Sequence, residues 1–205
     1  MIKNFLFAVF SQVINILLIF NCNADTFNQP EKNANIQFIK SRAILPNHTS
    51  HGPSVINSAY IENTAQIFGH FTAEDAFFNK LIVYGFLNIS NSQIKEAYIY
   101  GSAKINNSNF INKLTVFGTM IAKHSTFKNI STNAKKIFIE DSKIENLEVI
   151  ADADPSIPQI LYLDKKVNIG SIEFKSGKGI IISSSRDINL DQIKIIGAVV
   201  KENYL

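Results

Sequence analysis

The residues best suited to chemistry in this chain of 205 residues are few and scattered. His48 and His51 lie three positions apart, as two metal ligands can, but they lie among turn residues, and two ligands do not close a site. Asp152 and Asp154 offer carboxylates to a calcium ion, yet the Gly- and Asp-rich repeat that binds calcium in repeat proteins is missing from the sequence. We therefore predict no bound metal and no cofactor.

Two further groups have both a chemical and a structural interpretation. His124 has the chemistry of a general base, but it occupies the polar position before a repeated serine, which favours a corner residue. Lys175, Lys178 and Arg186 lie near three consecutive serines, yet the Gly-rich loop that opens a helix in phosphate sites is missing from the sequence. The structural interpretation is the stronger one for both groups, so we predict no catalytic residue.

A repeat running from about Asn57 to Val149 dominates the chain and sets the surroundings of these residues. In each repeat a small residue precedes a large apolar one by two positions. The pairs are Ala59/Ile61, Ala76/Phe78, Ser92/Ile94, Ser108/Phe110, Ser125/Phe127 and Ser142/Ile144. Successive small residues are 17, 16, 16, 17 and 17 positions apart. Glycine keeps the same step at Gly69, Gly85, Gly101 and Gly118.

This spacing predicts an all-β fold. A period of 16 or 17 residues is too short for a pair of helices, and the apolar residues alternate with a period of two. An antiparallel meander would need turn signals, and the Asn-Gly and Asp-Gly hairpin dipeptides are missing from the sequence. We predict a single-stranded parallel β-helix, or β-solenoid, with about 16–20 residues per coil. The small/large pairs should form an inward-facing structural ladder with serine hydroxyls bonded to the neighbouring coil, and the glycines should lie at corners.

The first 24 residues have the composition of a targeting segment. Lys3, a following apolar run, and the small residues Cys22 and Ala24 predict a signal-peptide helix cleaved between Ala24 and Asp25. Two alternatives remain open: an uncleaved segment that contacts the membrane, and a lipid attached to Cys22.

Segments rich in turn-forming residues divide the rest of the chain into predicted parts. The predicted parts are an N-terminal arm and cap (25–53), a β-solenoid (54–200, with a repeat core at 57–149, a loop at 151–158 and C-terminal coils at 160–200) and a tail (201–205). Turn residues at 46–53 predict a loop within the arm. Ile160 and Ile180 begin similar apolar runs 20 residues apart, which indicates wider coils that continue the solenoid.

Three short segments carry a resemblance to a known family. Leu81–Gly85, Tyr98–Gly101 and Leu114–Gly118 resemble the coils of apolar residues and glycine in bactofilins, the polymer-forming β-helix proteins of bacteria. The resemblance extends loosely over residues 55–200 and implies a scaffold that assembles from many copies.

The leading functional hypothesis is an exported, non-enzymatic β-solenoid in the periplasm, at the cell surface or secreted, which serves as an envelope scaffold. Coil ends leave unpaired strand edges, which predicts an end-to-end homo-oligomer. The first alternative is a surface adhesin or glycan-binding module that recognises an envelope or surface partner through Tyr84, Tyr98 and Tyr100. The second is a polysaccharide-acting enzyme, but residues 57–149 contain no arginine. A net charge of +3 gives no reason to expect a nucleic-acid partner.

Overall fold

Strands of successive coils pair in parallel and form one sheet that winds around the long axis of the molecule. The computed structural model describes residues 37–39, 43–154 and 156–202. Every strand pairing recorded among these residues is parallel, and in the repeat core it joins residues 16 or 17 positions apart. The predicted β-solenoid is therefore confirmed.

The described residues contain sixteen strands and one short 3₁₀ helix. They are β1 (Gln37–Ile39), β2 (Ile44–His51), β3 (Ser54–Asn57), β4 (Tyr60–Glu74), β5 (Phe77–Ser90), β6 (Gln93–Asn106), β7 (Asn109–Phe117), β8 (Met120–Lys123), β9 (Thr126–Thr132), β10 (Lys136–Glu140), β11 (Lys143–Val149), β12 (Ile160–Asp164), β13 (Asn168–Phe174), β14 (Gly179–Ser183), η1 (Leu190–Gln192), β15 (Lys194–Ile196) and β16 (Ala198–Glu202).

The core fills the lumen of the solenoid, because alternate side chains of strands β2–β14 point inward over most of their lengths. Phe110 and Phe127 stack there with their ring centroids 5.1 Å apart, and Phe71 meets Phe78 edge to face at 5.9 Å. Burial of each such ring stabilises the fold by about 1.5–3 kcal/mol. Equivalent apolar side chains in neighbouring coils thus hold the stack together along its axis.

The solenoid begins earlier than the turn residues indicated. The loop predicted at 46–53 is wrong for most of that segment, because β2 spans Ile44–His51 and pairs in parallel with β4. The register shifts between Leu45 and Asn47, which accommodates Pro46 in a strand at the irregularity. The short β1 likewise pairs with β3.

Coils before and after residue 133 differ in width. In the narrow coils (residues 43–133) each turn takes 16 or 17 residues. In the wide coils (residues 134–202) Ile160 pairs with Ile180, a step of 20, as predicted, but Lys143 pairs with Asn168, a step of 25. The coil range of 16–20 residues is exceeded where residues 150–154 and 156–159 are inserted without strand structure, and again between β13 and β15, where Ser171 pairs with Lys194 at a step of 23.

The C-terminal limit of the sheet differs from the prediction by two residues. The predicted tail begins at 201, but β16 continues to Glu202, so the sheet extends two residues beyond the predicted end. The predicted signal helix, Cys22, the cleavage site at Ala24 and Asp25, and most of the arm lie outside the described residues. Within the described ranges, no helix is long and apolar enough to cross a membrane.

Candidate functional site

Serine at the small position of the repeat joins neighbouring coils by hydrogen bonds. Each Oγ accepts from the backbone N–H of the small residue one coil earlier at 3.0–3.2 Å, and donates to the carbonyl two residues before it at 2.6–2.8 Å. These serines are Ser92, Ser108, Ser125 and Ser142. They are buried, as are Ala76 and the partners Phe78, Ile94, Phe110, Phe127 and Ile144. The hydroxyls are therefore committed to the backbone.

A row of left-handed residues turns the chain just before each small residue. Their φ angles lie between 44° and 55°, and they are Ser58, Asp75, Asn91, Asn107, His124 and Asp141. Among residues with side chains, Asn and Asp adopt this conformation most readily. His124 is a corner residue in this row, and its Nδ1 lies 3.0 Å from Oδ2 of Asp141 in the next coil.

An open groove of about 960 Å³ follows the row of corners across five coils. Its floor contains the small residues Ala59, Ala76, Ser92 and Ser108, and its walls are the corner residues and the residues two positions later. We call this feature the corner groove. It exists because a left-handed bend followed by a small residue makes the surface concave, and the repeat places that bend at the same point of every narrow coil.

A second row of corners is built on glycine. At Gly101, φ is 146° and a Cβ atom would lie 1.9 Å from the carbonyl oxygen of Gly85. Gly85 meets Gly69 in the same way, at 2.3 Å. Two independent requirements, the backbone conformation and the close approach of the previous coil, therefore both demand glycine here.

Aromatic residues precede these glycines and form an exposed stripe. In this aromatic stripe, neighbouring ring centroids are 4.8–5.1 Å apart and neighbouring planes lie within 11° of each other. Its members are His51, Phe68, Tyr84, Tyr100 and Phe117. The side chains of Tyr84 and Tyr100 are exposed, but their ring faces cover one another, so only the edges and hydroxyls meet solvent.

This geometry changes the interpretation of the predicted tyrosine surface. Sugars bind aromatic side chains through the ring face, and in Tyr84 and Tyr100 those faces are occupied by neighbouring rings. Tyr98 lies outside the stripe, and the ammonium of Lys80 approaches its ring at 5.5 Å from the centroid. The three tyrosines are therefore not arranged as an open platform.

The two histidines considered as a metal pair face opposite sides of β2. His48 is in register with the buried Ala65, and burial lowers its pKa by disfavouring the imidazolium form. His51 is exposed and stacks on Phe68. They do not converge on a common ligand position.

The aspartates considered for calcium have partners within the protein, one in their own loop and one outside it. Asp154 accepts hydrogen bonds from the backbone N–H and the hydroxyl of Ser156, which lowers the pKa of the carboxyl group. Oδ2 of Asp152 lies 3.4 Å from Nζ of Lys135. Throughout residues 37–39, 43–154 and 156–202, no group of three or more His, Cys, Asp or Glu side chains is placed to hold a metal ion.

The residues considered as a phosphate cradle also have internal partners. The ammonium of Lys175 lies 2.7 Å from Glu173 and 3.4 Å from Glu148, and both carboxylates raise its pKa. The hydroxyl of Ser184 donates to Oδ1 of Asp164 at 2.7 Å. These groups point to neighbouring side chains and do not form an anion pocket.

No sequence pattern predicted the ion-pair cluster that joins the narrow and wide coils. Glu140 lies between Lys123 and Lys165, and hydrogen bonds to both ammonium groups lower the pKa of its carboxyl group to about 2. The three residues come from successive coils, 17 and 25 positions apart. The cluster links coils of different widths, and the second spacing follows no repeat in the sequence.

The C-terminal coil leaves part of the sheet and core open. Within the described residues, β15 pairs only with β13, and β16 pairs only with β14. Val200 is in register with the buried Ile181 and therefore faces the lumen, yet it is 36% exposed. The outward-facing Val199 is 64% exposed. An apolar surface and a strand edge thus lie together at this end.

Comparisons with protein-family models, curated proteins and solved structures find no match to this chain. The structure shows the β-solenoid fold, whereas the likeness to bactofilins depends on the short coils alone.

Proposed function

We propose that this protein is an exported, non-enzymatic β-solenoid that serves as a scaffold in the cell envelope by associating end to end. The observation that carries the proposal is the open C-terminal coil. The lumen-facing residues Leu161 and Ile181 are fully buried, but Val200, the equivalent residue of the last described coil, is not. Stacking another copy would bury this apolar surface and pair the strand edges.

The two ends of the described solenoid offer different edges. At the N-terminal end, β2 contains Pro46, which has no N–H to donate, and its register is irregular at that point. At the C-terminal end, β15 and β16 contain no proline. The C-terminal coil is therefore the more regular template for a further strand, and self-association should depend on it.

The non-enzymatic part of the proposal is supported by how the polar side chains are used. The ladder serines bond to backbone atoms, and the carboxylate of Glu140 is neutralised by two lysines. The imidazole of His124 is paired with Asp141, whereas the hydroxyl of the adjacent Ser125 donates to the carbonyl of Lys123. No nucleophile is hydrogen-bonded to a base in this set.

Self-association is tested by sedimentation velocity of the isolated protein over a range of concentrations. We expect larger species to increase with concentration, and Val200→Lys to abolish them, because stacking would bury an unpaired ammonium group. Ile157→Lys is the matched control, since it places the same charge on an exposed apolar residue of the loop. A single monomeric species at every concentration contradicts the scaffold proposal.

Export is tested separately by fractionating cells and measuring the intact mass of the protein. A mature chain that begins at Asp25 and is found outside the cytoplasm is expected. A full-length chain in the cytoplasm contradicts this part of the proposal. A mass increased by a lipid on Cys22 would replace simple cleavage with lipid anchoring.

A further inference from the structure

We infer that the corner groove is a binding site for a neutral, linear oligosaccharide. This function goes beyond the scaffold role and does not depend on it, because the groove lies along the side of the narrow coils. The aromatic stripe, with its ring faces covered, is not part of the site.

The middle of the groove is lined with side-chain amides. Asn91 and Gln93 come from one coil, Asn107 and Asn109 come from the next, and all four are exposed. Each amide carries two N–H donors and one acceptor oxygen. Sugar hydroxyls both donate and accept hydrogen bonds, so a row of amides matches a polyhydroxyl chain better than it matches an apolar or purely anionic one.

The charge of the walls favours a neutral ligand. Among the described residues that line the groove there is no lysine or arginine, whereas Glu62 and Asp75 place two carboxylates near one end. The ammonium of Lys95 lies beside the groove, 5.9 Å from the centroid of the Phe77 ring, but it is not among the lining residues. A nucleic acid or an acidic polysaccharide would be repelled by the two carboxylates at that end. A neutral glycan avoids this repulsion and retains the hydrogen bonds.

Two of the four amides are held in place before a ligand binds. Nδ2 of Asn107 donates to Oδ1 of Asn91 at 2.7 Å, so the two side chains fix each other along the groove. The positive φ angles of Asn91 and Asn107 account for asparagine at the corners. They do not account for Gln93 and Asn109, which begin strands β6 and β7 and are not corner residues. Asparagine is moreover disfavoured in strands. A ligand site explains amides at both kinds of position.

An aromatic surface lies at the carboxylate end of the groove. Tyr60 stacks on Phe77 with 4.5 Å between the ring centroids, and Tyr60 is 43% exposed. The apolar C–H groups of a sugar can pack beside this pair while its hydroxyls reach the amides.

The length of the groove indicates a chain and not a single sugar. It crosses five coils, and the strands of neighbouring coils are about 4.8 Å apart. Four such steps give about 19 Å, over which the polar groups recur at regular intervals. A linear oligomer of several units can therefore repeat the same contacts in successive coils.

The test is calorimetric titration of the isolated protein with neutral hexasaccharides, namely cellohexaose, chitohexaose and maltohexaose, with hexagalacturonate as the anionic comparison. We expect saturable binding of at least one neutral chain, little change with salt, and affinity for hexagalacturonate at least tenfold weaker. The double variant Gln93→Ala/Asn109→Ala should weaken binding at least tenfold. Asn91→Gly should also weaken it, because glycine keeps the left-handed corner but removes the amide.

Controls separate the groove from the rest of the surface. Tyr100→Ala changes the aromatic stripe and should leave binding unchanged, and circular dichroism melts of every variant establish that the solenoid is folded. Three outcomes overturn the site: no binding of any neutral hexasaccharide, tighter binding of hexagalacturonate, or loss of binding with Tyr100→Ala but not with the groove variants. Sedimentation of the same samples reports on self-association independently.

Discussion

The narrow and wide coils belong to one sheet, but they hold their corners by different means. In the narrow coils the glycine corner repeats one residue type along the axis, as in the contact of Gly101 with Gly85. The other corner repeats one left-handed backbone conformation with varying polar residues, two of which, Asn107 and Asn91, are hydrogen-bonded to each other. In the wide coils each corner is held by contacts that do not recur in the next coil. Nε2 of Gln159 donates to the carbonyl of Ile150 at 2.8 Å, which closes the base of the inserted loop.

This difference shows at which corners the same residue type must recur in every coil. A corner whose backbone packs closely against the equivalent corner of the next coil, as at the glycines, must use the same residue in every coil. A corner separated from the next by an inserted loop is released from this condition. Gly177, in the turn after β13, has no such contact, because a Cβ atom there would meet nothing within 4 Å.

The largest expected effect distinguishes a glycine that contacts the neighbouring coil from a glycine that does not. Gly101→Ala should prevent folding or lower the free energy of unfolding by more than about 3 kcal/mol, because the new Cβ overlaps the backbone of the previous coil. Gly177→Ala should cost only about 1–2 kcal/mol, for the left-handed conformation at φ 67°. Urea denaturation followed by circular dichroism measures both. Equal losses would show that close corner contact is not what demands glycine.

The next effect compares inward and outward aromatic residues. Phe110→Ala empties a buried position in the stack with Phe127 and should destabilise the protein by about 3–5 kcal/mol. Phe138→Ala, on the outer surface of a wide coil, should cost about 1 kcal/mol through its contact with Tyr162. Thermal melts of the two variants give the comparison. A larger loss for Phe138 would contradict the assignment of the lumen as the main core.

A smaller effect is expected from single hydroxyl groups. Ser108→Ala removes the acceptor for the backbone N–H of Ser92 and should cost about 1–3 kcal/mol, because that buried donor is left unpaired. Ser184→Ala, at an exposed position of a wide coil, should change the stability by less than about 0.5 kcal/mol. Unfolding midpoints in urea decide this. Similar midpoints for the two variants would mean that the serine ladder is dispensable.

The smallest effect concerns the pH dependence of the wide coils. The pKa of Glu140 falls from 4.5 to about 2 on folding, because Lys123 and Lys165 stabilise its carboxylate. Its contribution to stability is therefore present above pH 4.5 and is lost as the pH falls towards 2. Glu140→Gln should flatten the stability profile in this range, whereas Glu145→Gln, an exposed residue of β11, should not. Melting temperatures from pH 2 to pH 6 measure this, and an unchanged profile for Glu140→Gln rules out the linkage.

Several features of the fold were predictable because the repeat turns a tertiary contact into a fixed sequence spacing. Ser92 and Ser108 are 16 positions apart, and in the structure they are hydrogen-bonded neighbours. The same regularity predicted the glycine corners, and the 20-residue step from Ile160 to Ile180 predicted that the sheet continues. Where composition alone was used, at residues 46–53, the prediction failed, because pairing with β4 holds the turn-forming residues in a strand.

The candidate site was only partly visible in the sequence. The polar residue before each small residue is evident at Asn91 and Asn107, but a concave surface follows only from the left-handed backbone at those positions. Tyr84 and Tyr100 were predicted as a binding surface from their residue type. Their stacking, which covers the ring faces, depends on the distance between coils and on a shared side-chain rotation.

The sequence by itself determined the period, the inward ladder and the glycine corners of this protein, because each of these features places a residue against its own equivalent one coil away. Only the tertiary structure decided that His48 faces inward and His51 outward, and that Glu140 meets Lys165 across an inserted loop. The physical reason is that such contacts join residues that are not equivalent in the repeat. The distances between such residues depend on how the loops and corners fold, so they cannot be predicted from the spacing of residues in the sequence.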